Sequence, residues 1–124
     1  MRGGLAIVLA VSALMSSGCG SSGPSAEVKR GAALFAQSGC LDCHGYGGIG
    51  AFQSNAPNLT READRKRGTD WQVRHLRRPR SLVQDSTMPS YRSLTTEQLK
   101  SIAKFLEDSD GRWQATDFWF GSGV

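Results

Sequence analysis

"CLDCHG", Cys40 to Gly45, sets two thiols one turn apart and puts an imidazole directly after the second. A disulfide, a zinc ion and a covalently attached haem all use cysteine pairs. A structural zinc site wants four ligands. Beyond this stretch the only other histidine is His75, and the adjacent Cys43 and His44 point apart on a helical turn. A thioredoxin-like redox pair needs a strand before the first cysteine, and no strand pattern precedes Cys40. The C-x-x-C-H spacing suits haem for a chemical reason. Two thiols one turn apart can each add to a vinyl group on one porphyrin edge, and the next side chain then lies under the ring, where imidazole can bind iron.

The remainder of the chain narrows the choice. Its 124 residues suffice for one domain, with 15 basic and 11 acidic side chains and only three cysteines, Cys19, Cys40 and Cys43. That odd, low count argues against a disulfide framework. A domain this small gains from a covalent or metal staple. Residues 1–18 read as a signal peptide: a basic start, the apolar run Leu5–Leu14, then small residues. "MSSGCG" resembles the cleavage site of bacterial lipoproteins, although Ser16 stands where that family usually has Leu. Cys19 is then a lipid anchor; otherwise it is incidental to an ordinary cleaved signal or an uncleaved one. Residues 19–26 read as a flexible tether, 27–110 as the folded domain and 111–124 as an aromatic tail. Export places the domain in an oxidising compartment, on the periplasmic side of a bacterial membrane.

Within the domain the pattern is all-α with long loops. Val28, Gly31, Ala32, Leu34 and Phe35 follow a helical period from Glu27, and Gly39 stops it. "GYGGIG", Gly45–Gly50, reads as loop. A second helix runs from Thr69 or Asp70, either of which can cap it, to Arg77, with Trp71, Val73 or Arg74, and Leu76 along one side. Thr95 and Gln98 form a capping box ahead of Leu99, Ile102, Ala103 and Leu106, and Asp110-Gly111 closes the last helix. Long loops in so small a domain imply that something fills the middle.

Elimination finds a second donor. Of the three methionines, Met1 and Met15 leave with the signal peptide, so Met88 is the one thioether of the mature chain, 44 residues after His44. Methionine often fills core gaps, but "DSTMPSY" is a polar loop rather than a core pattern. His75 is the rival axial ligand.

On these blocks the sequence resembles the class I c-type cytochromes, small monohaem electron carriers. "GAALFAQSGCLDCHG" is similar to their first helix and attachment site, "APNL" to their proline-leucine block, "HLRRPR…STMP" to their methionine loop, and "LTTEQLKSIAKFL" to their last helix. The resemblance implies a small class I cytochrome c fold, three to four helices and loops around one haem c. It implies that Cys40 and Cys43 tether the haem and that His44 and Met88 are its axial ligands. The Pro57 carbonyl would accept the Nδ1 hydrogen of His44, and Leu59 would pack on the haem. Gly31 would allow the first and last helices to cross closely. Ser86 sits where the family often places a hydroxyl near a haem propionate. The loop departs from the family in having "LVQDSTM" where a Pro-Gly pair is frequent, and "GRWQATDFWFGSGV" lies outside the resemblance.

Histidine–methionine ligation leaves no open position on iron, so the expected job is outer-sphere electron transfer and not an enzymatic reaction. The expected protein is a membrane-tethered carrier between redox partners of a respiratory chain. The alternatives are an accessory subunit of an oxidoreductase complex and a haem-based ligand sensor. Between Arg61 and Arg80 eight basic residues stand against three acidic ones. They are either a solvated face or a surface that steers the protein to an acidic docking surface. No nucleic-acid partner is expected of an exported haem protein.

Overall fold

A computed structural model describes residues 23–120 of the chain. The expected signal segment 1–18, Cys19, the first residues of the tether and the last four residues of the tail lie outside the described residues. Helix α1 spans Ala26–Gln37, one residue earlier than the sequence pattern suggests, because the Ser25 hydroxyl caps it by accepting from the Val28 N–H at 3.2 Å. Val28, Gly31, Ala32 and Phe35 form its buried stripe. Helix α2 spans Thr69–Arg77 and helix α3 spans Thr96–Glu107. The capping box at the start of α3 is present in both directions, Thr95 N to Gln98 Oε1 at 2.9 Å and Gln98 N to Thr95 Oγ1 at 3.2 Å.

The core is the crossing of α1 and α3, with α2 also packed against α3. Gly31 makes the crossing close. A Cβ there would run into the Ser101 carbonyl oxygen and lie 2.7 Å from Phe105 Cβ. Phe35 and Phe105 meet across it with ring centres 5.2 Å apart, and Tyr46 joins them, 4.8 Å from Phe105. Tyr46 is fully buried and satisfies its hydroxyl by donating to Ser109 Oγ at 2.7 Å, which in turn donates to the Phe105 carbonyl. Burial pushes its hydroxyl pKa up to about 12.

Four details differ from the sequence expectation. Gly45–Gly50 contains a minimal antiparallel pair, β1 (Gly45–Tyr46) and β2 (Ile49–Gly50), because Gly47 and Gly48 both take positive φ, as a tight two-residue hairpin turn requires. Neither Thr69 nor Asp70 caps α2. Its N-cap is Gly68, at φ 82°, and the backbone N–H there donates to Glu107 Oε2 at 3.1 Å. The buried residues of α2 are Gln72 and Leu76, while Trp71 and Val73 are half-buried. Helix α3 ends at Glu107, with Asp108 as its C-cap, before Asp110-Gly111 is reached.

The tail folds back on the domain. Trp119 stacks on Phe35 at 6.1 Å and donates Nε1–H to the Ala32 carbonyl at 3.0 Å, and Phe118 packs edge-on against Phe105. Phe120 remains exposed. Among the described residues no helix is long and apolar enough to cross a membrane.

Candidate functional site

The end of α1 delivers the cysteine pair. Gly39 turns the chain at φ 76° into a 3-10 turn over Cys40–Asp42, and the His44 N–H closes back on the Cys40 carbonyl at 2.9 Å. Both thiols and the imidazole are thereby held on one tight turn. They open on a cavity of about 570 Å³, within the range of about 300–1,000 Å³ usual for cofactor sites. Leu59, buried and held by its N–H donating to the Gly45 carbonyl at 2.9 Å, forms part of the wall, and Phe35, Leu76 and Leu106 add apolar surface. Pro57 and Met88 line the same cavity. The expected haem-binding residues Cys40, Cys43, His44, Pro57, Leu59 and Met88 therefore line one cavity; Cys19 lies outside the described residues.

The geometry at His44 is specific. Its Nδ1 lies 2.7 Å from the Pro57 carbonyl oxygen. A carbonyl only accepts, so the proton sits on Nδ1 and Nε2 keeps a free lone pair for a metal. Met88 reaches the same cavity from the loop after a 3-10 turn at Pro79–Ser81, and its N–H donates to Ser86 Oγ at 3.2 Å. Thus one tight turn brings two sulfurs and an oriented imidazole to the cavity, and a separate loop brings a thioether to it. That donor set fits a covalently attached haem, with two thiols to tether it and an imidazole and a thioether that could bind its iron.

Other uses of the thiols fit less well. Burial pushes the Cys40 thiol up to about 11, with a Tyr91 hydroxyl contact only partly offsetting it. A thiol held protonated at neutral pH is a poor redox nucleophile. Among the described residues no three His, Cys, Asp or Glu side chains converge into a metal-binding group.

His75 also lines the cavity. Its ring stacks on Trp71 at 4.7 Å, and its Nδ1 is buried with no hydrogen-bond partner. Burial first, then the charge of Arg67, holds its pKa below the ordinary value.

A polar part of the wall was not legible in the sequence. Glu62 is 3% exposed and accepts from Gln72 Nε2 at 3.1 Å. The same amide also donates to Glu107 Oε1, joining the Glu62 turn, α2 and α3. Arg65 and Arg67 bring Nε to 3.3 and 3.8 Å of the Glu62 carboxylate, and Arg67 lies over the Trp71 ring at 4.0 Å. The run of basic residues therefore divides. Arg65 and Arg67 belong to the cavity wall, Arg61 pairs with Asp64, and Arg74, Arg78 and Arg80 are exposed.

The family model described as "Cytochrome C oxidase, cbb3-type, subunit III" matches residues 26–106. No curated protein and no solved structure matches the chain. The matched span runs from the first residue of α1 to the last turn of α3 and contains both halves of the cavity.

Proposed function

The chain belongs to the cbb3-type cytochrome c oxidase subunit III family, and from that premise we propose that it is a membrane-tethered carrier of single electrons between respiratory partners outside the inner membrane. It is a c-type cytochrome with a small, mostly helical cytochrome c fold and covalently bound haem c. The observation that carries the proposal is the convergence of Cys40, Cys43, the Pro57-oriented His44 and Met88 on one cavity.

Bound haem supplies an iron that gains and loses one electron. The chain does the rest. Cys40 and Cys43 hold the group through thioethers, and His44 offers Nε2 while Pro57 keeps its Nδ1 protonated and raises its donor strength. Met88 would supply the second ligand to the iron, and its soft thioether would favour the ferrous state. Phe35, Leu59, Leu76 and Leu106 exclude water from the cavity. With His44 and Met88 both bound to iron, a haem held here would offer no place for a substrate, and the chemistry it would supply is electron transfer. The exposed Arg74, Arg78 and Arg80 steer the domain toward an acidic docking surface. Lipid on Cys19 tethers it to the periplasmic side of the membrane, since stable anchoring takes more than one acyl chain.

The family description favours a second reading, in which the domain is a haem-carrying subunit that feeds the catalytic centre of an oxidase complex. A stable co-purifying oxidase distinguishes this from a free carrier. The ligand assignment is tested in the ferric protein by the weak near-infrared absorption of sulfur on iron. It is expected in the wild type and lost in Met88→Ala, with a fall in reduction potential. Absence of the band in the wild type, with the iron disturbed instead by His75→Ala, refutes Met88. Retention of a Cys19→Ala variant in membranes refutes the lipid anchor.

A further inference from the structure

We propose that Asn55 and Thr87 form a clasp that holds Met88 at the iron, an inference that rests on the ligand reading above. Asn55 Nδ2 donates to Thr87 Oγ1 at 3.0 Å, across 32 residues of chain. Both side chains line the cavity.

The significance of this bond lies in what surrounds it. The methionine loop is anchored behind by Val83 N to the Pro79 carbonyl and ahead by Tyr91 N to the Leu76 carbonyl, each 2.9 Å. Between those anchors the hydrogen bonds are local: Ser86 N to the Val83 carbonyl, and Met88 N to Ser86 Oγ. Among the described residues, Asn55–Thr87 is the one hydrogen bond joining residues 85–90 to a distant part of the chain. Thr87 is the residue immediately before Met88, and Asn55 stands two residues before Pro57, whose carbonyl orients His44. The clasp therefore ties the segment that steadies one axial ligand to the segment that carries the other. The Pro-Gly pair frequent in such loops is absent here, and the clasp supplies from outside the loop the restraint that turn chemistry would supply from within. Asn55 and Thr87 are positioning residues: neither donates to iron, and both act by keeping Met88 from swinging out.

Imidazole added to the ferric protein must displace Met88 to bind, so its affinity reports how firmly that side chain is held. Thr87→Val keeps the shape and removes the hydroxyl, and Asn55→Ala removes the donor. Each is expected to raise imidazole affinity about fivefold, the factor that one neutral hydrogen bond carries. The double variant is expected to gain no more than either single one, because both remove the same bond. Thr87→Ser, which keeps the hydroxyl, is expected to behave as the wild type. The global unfolding midpoint is measured alongside, and a merely structural role would lower it without changing imidazole affinity. Unchanged affinities, additive single effects, or a Thr87→Ser variant that behaves like Thr87→Val would each overturn the clasp. A wild-type spectrum without the methionine signature would remove the ligand reading and the clasp together. The signature with unchanged affinities would remove the clasp alone.

Discussion

Gly31→Ala is the substitution that most directly tests how the fold frames the haem cavity. The new Cβ would collide with the Ser101 carbonyl oxygen and sit 2.7 Å from Phe105 Cβ. The first obstacle is helix backbone, which has no rotamer to turn aside, so α1 must lift from α3. Overpacking of this kind costs about 1–3 kcal/mol, and an unyielding backbone puts this site at the upper end. Alanine recovers about 1 kcal/mol of helix propensity over glycine. The net is a loss of about 2 kcal/mol, which for a domain of this size lowers the thermal midpoint by about 8–16 °C. The assay is far-ultraviolet circular dichroism of the haem-loaded protein during heating, with the near-infrared sulfur band followed in parallel. Because α1 leads straight into the Cys40 turn, the band is expected to disappear at a lower temperature as well. A midpoint equal to or above that of the wild type would refute the claim that close crossing at Gly31 supports the fold.

Further outcomes are expected elsewhere in the molecule. Trp119→Phe keeps an aromatic ring against Phe35 but loses the bond to the Ala32 carbonyl, and is expected to cost about 1 kcal/mol in denaturant unfolding. Trp119→Ala is expected to cost more; no change in either would detach the tail from the fold. His75 has a depressed pKa in the folded state, so below about pH 6.5 the unfolded chain binds the extra proton. Stability is therefore lost as pH falls through that value toward the lower folded one, and His75→Gln is expected to flatten that slope in unfolding measurements at pH 5 to 7. Second-order electron transfer to an acidic partner protein is expected to slow steeply as salt rises; a salt-independent rate would reduce the exposed arginines to a solvated face.

How much of this was legible in the sequence follows from how local each feature is. The capping box at Thr95 and Gln98, the α1 stripe and the attachment motif are set by neighbours within one or two turns, so spacing alone revealed them. The Pro57–His44 bond is less local, spanning 13 residues, and became legible only through the resemblance of "APNL" to a known block. Glu62 had no such signal. Lying among Arg61, Arg65, Lys66 and Arg67, it read as one acid in a basic, solvated run. Its buried carboxylate is met by Gln72, whose single amide serves Glu62 and Glu107 at once. Nothing in "TDWQVRHLR" marks that glutamine as the buried one, since a helical period around Trp71 and Leu76 gives the apolar residues priority. The expected side-chain cap on α2 failed for a related reason: Glu107, from the next helix, satisfies the Gly68 N–H, and a tertiary partner is invisible to local capping rules.

The same distinction bears on the site itself. Cys40, Cys43 and His44 need only one tight turn to be placed, and that turn is made by the backbone bond from His44 to Cys40. Met88 has no comparable local frame, because its own loop offers it only the Ser86 hydroxyl. The firm half of the site is written in adjacent residues, and the other half depends on contacts made after the chain has folded. A protein that transfers electrons must keep the iron's surroundings nearly unchanged between oxidation states, and the ligand with the weaker frame is the one that threatens this. Sequence changes near Met88 are therefore expected to alter ligand retention and potential more readily than changes of similar size near His44, where Pro57 and the 3-10 turn both restrain the ring.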